Sequence, residues 1–275
     1  MGRAKRYKFL HKGFEEYYWT FGSEKNPPLL ILHGFTGTHS DLVSVAEALE
    51  QNYFVIILDL PGWGKSEMIS GKLNIESYSN YVASFLGEKN FGKVSVLGYC
   101  MGAAIAIDLA NSHPSLVNKL FLLSTPYIKG TLSEIFFKHL GDMSVLSPMA
   151  IKRLFFIWRA RLFTIPFGLY ATRFKTFSKK LNFVIKTSDR SRENERLIEA
   201  YWIDIINYNY DKIKKITVPV HLLHGASDVI IPPTQAAKLH LMIPGATLDF
   251  IPEAGHMPNL ETPQTLAKTI LKYSD

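Results

Sequence analysis

The sequence predicts an α/β protein: a mostly parallel eight-stranded sheet flanked by helices, with a helical insertion after the sixth strand. Three observations carry this. Short apolar runs at Leu29–Leu32, Phe54–Leu58, Val94–Leu97, Leu120–Leu123 and Val218–Leu223 suit strands covered on both faces. Helix-like segments lie between the first of them, and such alternation favours parallel pairing. The alternation stops at Pro126 and resumes near Val218, and the gap carries apolar residues at three and four spacings among lysines and arginines.

Taken in order, Tyr7–Leu10 and Glu16–Phe21 form an antiparallel pair at the start of the sheet. Leu29–Leu32 leads to a helix over Asp41–Gln51, and Phe54–Leu58 to a helix over Asn74–Glu88, where Asn74 can cap the free N–H groups of the first turn. Val94–Leu97 is followed by a helix over Met101–Asn111, rich in Ala and Ile. In the insertion, Ser133–Leu140, Met149–Arg161, Phe167–Phe177 and Arg192–Ile206 read as amphipathic helices. Their aromatic residues, among them Phe155, Trp158, Phe163 and Tyr170, either line an apolar pocket or fasten the insertion to the core. Thr247–Ile251 is the last strand, and Thr262–Tyr273 the closing helix, with Pro263 in its first turn. The domain division is therefore a core at 1–125 and 216–275 and a helical cap at 126–215.

Composition narrows the class. With 275 residues, 47% hydrophobic and 20% charged, the chain is globular, and disordered, collagenous and low-complexity classes are excluded. A body of this size buries roughly three quarters of its unfolded surface, so it needs neither disulfide nor structural metal. Cys100 is the lone cysteine and cannot close an intrachain bridge. The uncharged stretch Val94–Ile107 is shorter than the roughly 18 residues of a membrane span and is broken by Gly98 and Gly102. The first residues lack an apolar signal core, so the expectation is a cytoplasmic chain without integral membrane association. The net charge of +7 is concentrated: residues 126–215 hold 17 Lys and Arg against 8 Asp and Glu. No nucleic-acid-binding motif accompanies it, so it reads as a solvated face or an attraction for anionic substrates. The turn around Gly62–Ser66 lacks the spacing of a phosphate loop, and His11, His39, His113, His139, His221 and His240 show no metal-ligand spacing. Neither metal nor cofactor is expected, and the partner is a small-molecule acyl substrate.

The strongest chemical signal is Gly98-Tyr99-Cys100-Met101-Gly102, between a predicted strand and a predicted helix. This is the Gly-x-nucleophile-x-Gly form of a nucleophile elbow. A side chain perched on so tight a turn has strained backbone angles, and only small neighbours let the adjacent chain pass. The helix beginning at Met101 directs its N–H groups and positive dipole end at the sulfur, the setting in which cysteines become nucleophiles.

With these residues in place, the chain resembles the α/β-hydrolase superfamily over nearly its whole length. His33-Gly-Phe-Thr-Gly37 is similar to the family's loop after its third strand, and the resemblance implies an oxyanion hole from the N–H groups of Phe35 and Met101. Asp59-Leu-Pro-Gly-Trp-Gly-Lys-Ser66 resembles a turn that orders the rim of the site. The insertion falls where the family places its cap. By the same resemblance, Asp228 in His224-Gly-Ala-Ser-Asp228 stands at the position of the catalytic acid. His256 in Glu253-Ala-Gly-His256 stands at that of the base, with His33 and His224 as supports. The roles implied are Cys100 as nucleophile, His256 as proton carrier and Asp228 as the group that orients His256.

Cysteine at the elbow is the departure, since most members carry serine. Thiolate attacks activated carbonyls well but also leaves well, so thioesters, lactones and activated esters suit it better than amides. Cysteine elbows resemble those of dienelactone hydrolases, which usually lack this cap, and of polyhydroxyalkanoate synthases, which are longer and carry Gly-Gly where this chain has Gly102-Ala103. The expected function is hydrolysis of a small carboxylic ester, thioester or lactone through an acyl-cysteine. Alternatives are acyl transfer from the same intermediate, or a carbon–carbon bond hydrolase or menaquinone-pathway-like lyase in which Cys100 replaces serine, natively or by engineering. The remaining alternative is a non-catalytic ligand-binding protein on this scaffold.

Overall fold

The computed structural model of the chain describes residues 4–70, 73–127, 129 and 208–274. The four helices expected between Ser133 and Ile206, and the aromatic residues assigned to them, lie outside the described residues. Eight strands form one sheet: β1 (Lys5–His11), β2 (Phe14–Phe21), β3 (Pro28–Leu32), β4 (Phe54–Leu58), β5 (Val94–Tyr99), β6 (Val117–Leu123), β7 (Val220–Gly225) and β8 (Thr247–Ile251). Their spatial order is β1-β2-β4-β3-β5-β6-β7-β8. The pairings β1·β2 and β2·β4 are antiparallel and all others parallel. Lys12 and Gly13, both at positive φ, close the first hairpin with the local twist a two-residue turn requires.

Strand periodicity explains the two cores. Leu30, Leu32, Ile56, Leu58, Val94, Val96, Leu120 and Leu122 face one side and join the buried residues of α2 (Ile75–Lys89) and α3 (Met101–Ser112). The alternate positions, Leu29, Ile31, Val55, Ile57, Leu97, Phe121 and Leu123, face the other side. There they meet α1 (Val43–Leu49) and the closing helix, Pro263–Leu271. β3 and β4 are therefore apolar at every position because both faces are covered.

Most strands run one to three residues beyond the sequence reading, β6 beginning at Val117 rather than Leu120, and three other boundaries differ for a local reason. The helix expected over Asp41–Gln51 is divided: Thr38 and Asp41 form a capping box around a 3-10 turn at His39–Asp41, and α1 starts only at Val43. The seventh strand begins at Val220 rather than Val218, after Pro219, which has no N–H for a ladder; the Pro219 carbonyl accepts from Leu120 N–H at 2.9 Å. Thr262, at φ −140° and ψ 54°, stays outside the closing helix, which Pro263 opens. Two further helices are α4 (Pro233–Leu241) and the single turn α5 (Pro258–Glu261), which makes the closing helix α6. Asn74 caps α2 as expected, accepting from Ser77 N–H at 2.8 Å.

The topology positions the site. From β3 the chain goes first to β4 on one side and later to β5 on the other, so β3 and β5 flank the point where the winding reverses. Loops leaving the carboxyl ends of two such strands diverge and leave a crevice, the usual ligand position in parallel sheets. His33–Gly37 leaves β3, Cys100 leaves β5, Asp228 follows β7 and His256 follows β8, all on one edge. A 3-10 helix at Tyr210–Lys215 returns the chain from the insertion and packs on α3, with Ile213 fully buried. No helix among the described residues is long and apolar enough to cross a membrane.

Candidate active site

Cys100 sits between β5 and α3 at φ 50° and ψ −112°, a strained combination for a residue with a side chain. The surrounding glycines are required by contact. A Cβ on Gly98 would lie 2.4 Å from the Gly102 carbonyl oxygen, and one on Gly102 would lie 2.4 Å from that of Leu32. The elbow therefore packs directly on α3 and on the end of β3. Cys100 N–H donates to Leu123 O at 2.9 Å, which fixes the turn to β6. Its side chain is half-buried, whereas Tyr99 and Met101 on either side are buried.

The β3 loop closes against the same point. Gly37 N–H donates to Gly34 O at 3.0 Å, so Phe35 occupies a tight turn. A Cβ on Gly34 would come within 3.2 Å of the Cys100 Cβ, so the turn bearing Phe35 abuts the elbow, and Met101 begins the first turn of α3 beside it. His33 supports this loop from below: its Nε2 accepts Leu60 N–H at 3.1 Å, which leaves Nδ1–H to donate to Gly34 O at 2.9 Å. Asp59 orders the rim by accepting from the N–H groups of His39 and Lys65 at 2.7 and 2.9 Å.

Two separate loops bring the acid and the base together. Asp228 is buried, and its Oδ1 accepts from Ile230 and Ile231 N–H at 2.9 and 3.0 Å. Its Oδ2 accepts from His256 Nδ1 at 2.8 Å, with His224 Nε2 at 3.4 Å. His224 Nε2 also meets the Ile231 carbonyl at 2.7 Å, so it braces the acid loop. Docking of the two loops depends on Gly225, where a Cβ would fall 1.8 Å from the Gly255 carbonyl oxygen, and on Ser227 N–H donating to Ala254 O at 2.9 Å. Glu261 brackets the histidine, accepting from Gly255 N–H at 2.8 Å and Met257 N–H at 3.0 Å. Asn259 ties this loop to the β3 side through Asp41 O at 2.9 Å.

The electrostatics follow from that geometry. Burial would raise the Asp228 carboxyl, but the His256 charge and hydrogen bond, with His224 and Ile231 N–H, outweigh it and hold it below the ordinary carboxylate range. Burial would lower His256, but Asp228 and a hydrogen bond to the Cys100 side chain outweigh it and raise the imidazole to about 10. His256 thus bonds to Asp228 through Nδ1 and also to the Cys100 side chain. Such a chain can remove a proton from the sulfur, hold it, and return it to a leaving group.

All five residues singled out from sequence lie at this edge: Cys100, His256 and Asp228 in one hydrogen-bonded chain, and Phe35 and Met101 on the loops that flank the sulfur. Sequence reasoning missed Glu261, Asn259 and Tyr210, a buried tyrosine within electrostatic range of Cys100. It also missed the pair of Asp108 with Lys212 at 2.7 Å, although an acid in the otherwise apolar helix Met101–Asn111 was a visible signal. No group of three or more His, Cys, Asp or Glu among the described residues could hold a metal ion.

Comparison with known proteins gives a consistent result. The chain is 26% identical over 255 residues to Lipase 1 of Psychrobacter immobilis, covering 92% of this chain and 78% of that one. It is 25% identical over 274 residues to the 2-hydroxy-6-oxo-6-(2'-aminophenyl)hexa-2,4-dienoic acid hydrolase of Metapseudomonas resinovorans, covering 97% and 90%. Among solved structures, a thermophilic esterase of Thermogutta terrifontis superposes with a TM-score of 0.77 at 21% identity, over 98% of this chain and 97% of that one. The sequence model of the alpha/beta hydrolase fold matches residues 27–263, a span that contains the elbow, the acid loop and the histidine loop. With that match over most of its length and the topology described above, the chain belongs to the alpha/beta hydrolase fold family.

Proposed function

We propose that this enzyme hydrolyses a small carboxylic ester, thioester or lactone through an acyl-cysteine on Cys100. The observation that carries the reading is the Asp228–His256 hydrogen bond at 2.8 Å, with His256 turned to a cysteine on a strained elbow. His256 takes the thiol proton as the sulfur attacks the carbonyl carbon. The N–H groups of Phe35 and Met101 receive the charge that develops on the carbonyl oxygen. Collapse expels the alcohol or thiol, which leaves with the proton from His256, and the acyl group remains on sulfur as a thioester. His256 then removes a proton from water, whose oxygen attacks the thioester. The carboxylic acid departs and the thiol is restored. Asp228 keeps the ring oriented and balances its charge throughout.

The similarity to a curated lipase supports carboxylic ester chemistry, and the similarity to a dienoic acid hydrolase supports a second reading, cleavage of an oxo-acid. Acyl transfer differs only in the group that intercepts the thioester. Intact-mass measurement after brief exposure to a panel of acyl donors tests the reading. A single acyl adduct on Cys100 that decays in water is expected and is lost in Cys100→Ala. Turnover by Cys100→Ala at the wild-type rate overturns the nucleophile assignment, and decay that occurs only with an added alcohol, amine or thiol turns the reading to acyl transfer.

A further inference from the structure

Three buried hydroxyls near the elbow have no hydrogen-bond partner among the described residues: Ser124 Oγ, Thr125 Oγ1 and Tyr210 Oη. Their residues are 0%, 5% and 7% exposed, so water does not supply the missing bonds from the surface. Buried polar groups are nearly always paired, and several left open together mark a place that something else completes. The backbone sets Ser124 and Thr125 beside the nucleophile, because Cys100 N–H is bonded to Leu123 O and Ser124 is the next residue, itself at a strained φ of 47°.

Tyr210 comes from the far end of the insertion to meet the ring of Tyr127, two residues past Thr125, within electrostatic range of Cys100, and its position is fixed on three sides. Lys212 Nζ lies 2.7 Å from Asp108 Oδ1, and Tyr208 Oη donates to the same oxygen at 3.3 Å. Asp108 belongs to α3, the helix that starts at Cys100, so one helix registers both the nucleophile and the segment bearing Tyr210. The Tyr210 ring is wedged edge-on between Tyr127 and Tyr208, at centroid distances of 5.6 and 5.0 Å. Burial first, and then Cys100 and Tyr208, hold its phenol well above the ordinary range, so it is a neutral hydroxyl whose O–H can donate to an acceptor.

We propose that Tyr210, with Ser124 and Thr125, forms a subsite for a hydrogen-bonding oxygen on the acyl group, so that preferred donors carry an ether, hydroxyl or keto oxygen close to the scissile carbonyl. The subsite rests on the acyl-cysteine reading above and adds the chemical class of the acyl group. Tyr210 is a substrate contact that sets specificity, and Asp108 and Lys212 position it.

The test compares two isosteric substrates, the 4-nitrophenyl esters of methoxyacetic and butanoic acid, which differ by an oxygen in place of a methylene. In Tyr210→Phe the ratio of kcat/KM for methoxyacetate over butanoate falls about tenfold from its wild-type value, the scale of one lost hydrogen bond. Lys212→Met, which keeps the phenol but releases its anchor, lowers the same ratio by a smaller factor. Tyr210→Phe removes only an unpartnered oxygen, and its melting temperature, read alongside, stays at or above that of the wild type. An equal fall for both esters, or an unchanged ratio, overturns the subsite while Cys100 still takes up acyl groups. Absence of any Cys100 adduct in the wild type overturns the acyl-cysteine reading, and the subsite with it.

Discussion

Asp228 and Glu16 are both carboxylic acids sunk in the protein, at 3% and 0% exposure, yet their surroundings drive them in opposite directions. Asp228 has backbone donors on one oxygen and His256 on the other, and is held below the ordinary range. Glu16, on β2, accepts from Tyr81 Oη at 3.0 Å through Oε2, and its Oε1 has no partner among the described residues. Burial pushes its carboxyl up to about 7; hydrogen bonds from Ser66 and Tyr81 oppose this, and the nearby Glu67 and Asp59 charges add to it. The difference teaches that burial does not decide ionisation. The partners decide: Asp228 has an imidazole within hydrogen-bond reach, whereas the charges that act on Glu16 are those of Glu67 and Asp59.

The largest expected effect breaks the charged side of this comparison. His256→Ala leaves no proton carrier, and turnover falls by a factor on the order of a thousand or more, measured as kcat for whichever donor acylates Cys100. The same variant slows alkylation of Cys100 by iodoacetamide, because the sulfur loses its base. Alkylation of Cys100 in the wild type abolishes turnover.

Asp228→Asn keeps the shape but removes the charge, so kcat falls by a smaller factor than in His256→Ala, though still by about a hundredfold or more. This variant also sharpens the electrostatic argument. His256 is raised from 6.5 to about 10 on folding, so the stability it contributes is complete below pH 6.5 and is lost as pH rises through 10. The wild-type melting temperature therefore declines between pH 7 and 10, and Asp228→Asn flattens that decline. A decline of the same steepness in both proteins removes Asp228 as its cause.

The same direction, in a lower pH window, is expected for Glu16. Its carboxyl is raised from 4.5 to about 7 on folding, so the unfolded chain releases its proton first and stability falls as pH rises from 4.5 to 7, then levels off. Glu16→Gln removes this fall and is more stable than the wild type above pH 7, by on the order of 1 kcal/mol, read from urea unfolding at pH 5 and pH 8. A variant less stable at pH 8 than the wild type would mean that the carboxylate is held by interactions stronger than its burial cost. The smallest effect belongs to an exposed pair, Lys8 with Glu15. Lys8→Ala leaves the melting temperature within measurement error, since water and salt already screen that attraction.

Much of the site was legible because its determinants are short-ranged. Gly98 and Gly102 flank the nucleophile closely enough that steric need alone fixes their type, and Asn74 announces its helix by a bond to a residue three positions on. The apolar runs gave the strands, since a run such as Phe54–Leu58 is buried at every position. What could not be read were bonds across large separations in the chain. Asn259 reaches Asp41, Lys212 reaches Asp108, and Tyr210 comes to lie near Cys100. None leaves a periodicity or a spacing for a reader to find, and Tyr210 lay among many aromatic residues in a segment assigned to the cap.

The sequence by itself therefore determined the order of the described strands and the main helices between them, the strained elbow and the identity of the nucleophile, acid and base candidates, because each rests on local sterics or on a motif within a few residues. Tertiary structure alone decided how those groups meet: that Gly225 lets the acid loop touch the histidine loop, that Asp228 raises His256 while burial raises Glu16, and that three buried hydroxyls near the sulfur are left without partners among the described residues. The reason is that charge and hydrogen bonding depend on distances through space, and the sheet brings to one edge residues that the chain keeps far apart.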